Sequence, residues 1–116
     1  MTYSISISKK FKRSELTPDR IADSISVAAN LINSEIDSLD VAVEENNDEI
    51  VHNMKNLTVQ ELRECCCSDS SSILSVNAFI GDAHLWAIPK AGQLTVDAPS
   101  RDIAEMVLSA FLKPAN

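Results

Sequence analysis

Glycine is almost absent from this sequence, with two residues in 116, at positions 81 and 92. So few cannot build a loop whose backbone cradles phosphate, which excludes a nucleotide-binding loop of that kind. Long hydrophobic runs are missing too. No stretch approaches the about eighteen apolar residues of a membrane-spanning helix. Cysteine occurs only as Cys65, Cys66 and Cys67. With no partner elsewhere they build no disulfide framework, which fits a reducing compartment. Nor do they make a zinc site, because adjacent helical side chains diverge and no second ligand pair exists.

Positive charge is missing from a long central segment. Between Ile21 and Met54 there is no lysine or arginine, while Asp23, Glu35, Asp37, Asp40, Glu44, Glu45, Asp48 and Glu49 are all acidic. The net charge of −7 originates here. Most such blocks are the solvated side of a helix and its loops. An acidic surface nonetheless repels nucleic acid and anionic membranes and attracts basic proteins, with association rates reaching about 10⁸–10⁹ M⁻¹s⁻¹ at low salt. The run EENNDE, 44–49, lacks the glycine and ligand spacing of a calcium loop. No metal or other cofactor is expected, and the exposed pair Glu44 and Glu45 does not suggest tuned acid–base catalysis.

What is present is an ordinary globular composition, 45% apolar, of a length that fits one domain over 1–116. The N-terminal MTYSISISKKFKR has the wrong order of charge and apolarity for a secretory signal, so, taking the chain as complete, the expected compartment is the cytoplasm. Asn56-Leu57-Thr58 is then a glycosylation tripeptide by coincidence. Lys9, Lys10, Lys12 and Arg13 form a basic patch that keeps a strand end soluble.

Period-two alternation in Tyr3–Ile7 predicts a strand, and Thr17-Pro18-Asp19 opens a helix with an apolar stripe of Ile21, Ile25, Ala28, Ala29, Ile32 and Ile36. Leu39, Val41 and Val43 alternate as a second strand. Ile50, Val51, Met54 and Leu57 return to helical spacing, and Thr58 with Glu61 makes a capping box, stapled by Leu57 and Leu62, for a helix running into the cysteines. SDSSS, 68–72, is a connection. Ser100 caps a final helix with Ile103, Val107, Ala110 and Phe111 on one face, stopped by Pro114.

Between them, Gly81-Asp82 and Ala91-Gly92 sit where two tight turns would join three antiparallel strands. The first turn pairs Ile80 with Ala83, Ala78 with Leu85 and Val76 with Ala87 on an apolar face. It puts Phe79 beside His84, Asn77 beside Trp86 and Ser75 beside Ile88 on the other. The second, as a two-residue loop, pairs Ala87 with Val96, Trp86 with Asp97 and Ile88 with Thr95. The expected fold is therefore α+β, an antiparallel sheet with a C-terminal three-stranded meander packed against three to four helices.

Phe79, His84, Trp86 and Ile88 thus share the sheet face away from the main core, either beneath a crossing helix or exposed as a partner site with Ser75, Asn77, Thr95 and Asp97 around it. The candidate partner-binding residues are Phe79, His84, Trp86, Ile88 and Asp97 together with Asp40, Glu44, Glu45, Asp48 and Glu49. No catalytic or metal-binding residue is assigned. In bulk the chain resembles bacterial immunity proteins, small cytosolic α+β domains that plug a cognate toxin, often a nuclease with a positive active site. That resemblance implies an inhibitor of a basic protein partner whose carboxylates mimic phosphate charge, and it carries over no individual residue. Two alternatives remain: a secretion chaperone for a secreted effector, and a cysteine-dependent enzyme or redox protein using His52 or His84 as base.

Overall fold

The computed structural model of the chain describes residues 4–12, 15–44, 51–64 and 73–112. Tyr3, Arg13, Glu45, Asp48, Glu49, Ile50, the three cysteines, the 68–72 connection and Pro114 lie outside them. Along the chain come β1 (Ile5–Lys10), α1 (Pro18–Leu31), β2 (Ile36–Glu44), β3 (Val51–Met54), α2 (Val59–Glu64), β4 (Ile73–Ile80), β5 (Ala83–Ile88), β6 (Gln93–Ala98) and α3 (Arg101–Leu112). The fold is α+β. All the strand pairs are antiparallel, in the order β1-β6-β5-β4-β2-β3.

The helices start where short polar side chains meet free backbone amides. Thr17 Oγ1 accepts from the Arg20 amide at 3.2 Å, with Pro18 in the first turn. In the capping box before α2, the Thr58 amide donates to Glu61 Oε1 at 2.9 Å and the Glu61 amide donates to Thr58 Oγ1 at 3.0 Å. The Ser100 hydroxyl accepts from the Ile103 amide at 3.4 Å at the start of α3.

The stripe on α1 ends sooner than its spacing predicts. Asn33 takes a left-handed φ of 52°, and the amides of Asn33 and Ser34 bond back to the carbonyls of Asn30 and Ala29 at 3.2 and 2.9 Å. This Schellman closure stops the helix at Leu31, so Ile36 begins β2 instead of extending the stripe. β1 starts at Ile5 and runs on to Lys10, three residues past the predicted end, because β6 offers it pairing as far as Gln93.

Val51–Met54 is a strand, not the helical segment its spacing predicts. Four residues barely distinguish the two periods, and antiparallel pairing of Val41 through Glu44 with Met54 through Val51 gives the facing backbone groups of the two segments their partners.

The second turn is also longer than predicted. Pro89–Ala91 forms a 3-10 turn closed by Gly92 at φ 64°, so four residues join β5 to β6. Ala87 consequently faces Leu94, Trp86 faces Thr95, Ile88 faces Gln93 and His84 faces Asp97, a register two residues away from the expected one. A shift of two preserves the face of every side chain.

Alternate strand residues build one core: Leu39, Val41 and Val43 of β2, Val76, Ala78 and Ile80 of β4, Ala83, Leu85 and Ala87 of β5, and Leu94, Val96 and Ala98 of β6 are all buried. They share their cluster with Ile21, Ile25 and Ala28 of α1, Leu62 of α2 and Val107 and Phe111 of α3. The helices thus cover one side of the sheet, with α1 against both α3 and α2. Arg63 of α2 bonds Asp23 of α1 across that layer, and this bond holds the guanidinium pKa above its ordinary value.

Candidate functional site

Opposite the helical layer, the other set of alternate residues forms an open face. The register aligns them in two rows across the sheet. One runs Asp40, Asn77, Trp86, Thr95 and Ser8; the other runs Ser38, Phe79, His84, Asp97 and Ser6. Among the described residues no helix crosses these rows, and the two large rings are correspondingly open, Trp86 at 41% and Phe79 at 37% exposure. The neighbours of the indole on either strand are the short side chains of Asn77 and Thr95, which leave it standing above the surface.

The polar groups around the rings are held by one another. His84 Nδ1 lies 3.3 Å from Asp97 Oδ2, and its Nε2 lies 3.0 Å from Asn77 Oδ1. The imidazole also stacks on Phe79, with ring centroids 4.5 Å apart and planes at 20°. Three strands thereby fix one ring, which positions Phe79 and Asp97 at the same time. The hydroxyls of Ser8 and Thr95 bond at 3.0 Å at the far end of the first row.

The acidic residues join the same surface. Asp40 Oδ1 accepts the Asn56 amide at 3.0 Å, an arrangement that places Asn56 at a left-handed φ of 57°. Glu44 pairs with Lys90 of the 3-10 turn at 3.2 Å. Beside Asp40 lies a shallow cleft of about 180 Å³ lined also by Asn53, Lys55, Ser75 and Asn77. That is smaller than the about 300–1,000 Å³ of small-molecule pockets, so the face offers contact area more than enclosure.

Of the residues singled out from sequence, Phe79, His84, Trp86, Ile88, Asp97, Asp40 and Glu44 therefore occupy one side of one sheet. Glu45, Asp48 and Glu49 lie outside the described residues. Sequence reasoning missed the direct opposition of His84 and Asp97, and the outer members Ser6, Ser8 and Ser38. The signal for the former was Pro89, whose ring favours the start of a turn and cannot donate to a ladder.

Compared with known proteins, the chain matches no family model, no curated protein and no solved structure. Among the described residues no group of three or more histidine, cysteine, aspartate or glutamate side chains is arranged to hold a metal ion. No described helix is long and apolar enough to cross a membrane.

Proposed function

We propose that this chain is a small protein-binding module of the immunity or inhibitor type, whose open sheet face docks a basic toxin domain and occludes its active site. The observation that carries the reading is the joint presentation of Trp86 and Phe79 with Asp40, Glu44 and Asp97 on a face the helices leave uncovered. Exposed rings supply contact area at low entropic cost, and polar neighbours ring the contact and keep water out, which is the makeup of a binding hot spot. The carboxylates supply the field that draws a cationic surface and sets its orientation. A nuclease, with an active site built to hold phosphate, is the type of target whose substrate such a surface imitates.

The test starts from the neighbouring reading frame, where this proposal expects a large secreted protein with a variable basic C-terminal domain, and co-expresses that domain with the native chain. The native chain is expected to restore growth, and Trp86→Ala, with its fold verified by circular dichroism, is expected to lose that protection. Undiminished protection by Trp86→Ala, or recovery of only acidic partners from the native cell, counts against the proposal.

One observation favours a secretion chaperone as second reading. Val27 and Leu31, one turn apart on α1, are exposed at 44% and 41% and form an apolar strip suited to a dimer contact. Light scattering separates the two: an obligate dimer supports the chaperone, and a monomer removes it.

A further inference from the structure

We infer that the open face selects arginine over lysine, seating a guanidinium of its partner on the Trp86 indole within reach of the Asp97 carboxylate. The inference rests on the proposed docking of a cationic partner and names the side chain that anchors it. Three features of the face lead there.

The first is the platform. Trp86 is exposed between two short neighbours, so a flat group can lie against its ring. Of the aromatic side chains, tryptophan attracts cations best through its ring face.

The second is the placement of negative charge. Asp97 sits two residues beyond Thr95, the strand partner of Trp86, which makes it the diagonal neighbour on the same face at about 7–8 Å. Asp40 lies at the opposite side of the indole, two strands over in the same row. A guanidinium stacked on the ring therefore has a carboxylate on each flank.

The third is preorganisation. Each carboxylate is held by one oxygen, Asp97 through Oδ2 to His84 and Asp40 through Oδ1 to Asn56. Among the described residues no further bond engages the second oxygen of either. These side chains are already oriented before a partner arrives, which lowers the entropic cost of the new contact. Lys55 lines the cleft beside Asp40 and weakens the field on that flank, leaving Asp97 the stronger of the two.

Arginine fits this combination better than lysine for physical reasons. Its guanidinium is planar, stacks on aromatic faces, is weakly hydrated and forks onto a carboxylate, whereas an ammonium is a compact charge that keeps its water.

Trp86 is the sole tryptophan, so its fluorescence reports on this site alone. Capped tetra-arginine and tetralysine peptides are titrated into the native chain at low salt, and into Asp97→Asn and Asp40→Asn variants whose folding is checked by circular dichroism. The expected result is a saturable change in indole emission with tetra-arginine, about three- to fivefold tighter than with tetralysine. The binding weakens in Asp97→Asn and, less, in Asp40→Asn. Equal or tighter binding of tetralysine, or unchanged affinity in both variants, overturns the arginine anchor while leaving a cationic partner standing. No response of the indole to either peptide overturns both.

Discussion

His84 of β5 and Asp97 of β6 stand directly opposite each other on the open face, with Nδ1 of the imidazole 3.3 Å from the Asp97 carboxylate. Asn77 reaches the same imidazole from β4, and Phe79 stacks on it. The surface around Trp86 is thus a braced assembly of side chains from three strands, and its behaviour differs from that of the core a few ångströms beneath.

Leu85 and Trp86 are adjacent on β5 and point to opposite sides. Leu85→Ala is expected to cost about 2–5 kcal/mol in urea denaturation, because the fully buried side chain leaves a cavity. Trp86→Ala is expected to cost only about 1–2 kcal/mol, since the ring is already open to water. Equal losses for the two variants would contradict the uncovered face.

Gly92 combines a φ of 64° with close approach to the chain end leading out of β1, where an added Cβ would lie 2.1 Å from the Phe11 carbonyl oxygen. The Phe11 amide also bonds the Gly92 carbonyl. Gly92→Ala should lose about 1–3 kcal/mol from the backbone conformation alone, and more from the collision. Hydrogen exchange is expected to quicken in β1 ahead of β4 and β5, and uniform protection would sink this account.

Thr58 and Glu61 reciprocally satisfy two amides at the start of a six-residue helix. A helix this short has little else to nucleate it. Thr58→Ala should therefore destabilise the protein by about 1 kcal/mol, while Thr58→Ser retains the acceptor and most of the stability. A thermal melt in which serine is as damaging as alanine would refute the capping role.

Arg63 has its pKa raised above its ordinary value, through its hydrogen bond to Asp23 first of all. A raised folded-state value means that its contribution is fully present below the unfolded pKa and is lost only as pH rises through the folded one. The stability difference between the native chain and Arg63→Gln is accordingly expected to stay constant from neutral pH into mild alkali. Denaturation curves that converge over that interval would contradict it.

Much of this organisation was legible in the residues themselves. Two-residue spacing at Gly81-Asp82 fixed the β4–β5 pairs, and the division into core and open faces survived the misjudged second turn because a four-residue loop differs from a two-residue one by an even number. The opposition of His84 and Asp97 was hidden by that shift. β3 was obscured for another reason: four residues are too few to show a period, and its assignment depends on pairing with the edge of β2. Whether a helix lay over Trp86 was likewise undetermined locally, since the answer depends on which side of the sheet the crossovers fall.

Among the described residues the sheet is open at both ends, with β1 and β3 as its margins. At the β1 margin Lys9 and Lys10 are exposed, so two copies brought together along this strand would meet with like charges. Like charges there oppose pairing of the outer backbone of that strand with a second copy, the step at which edge-to-edge assembly would begin.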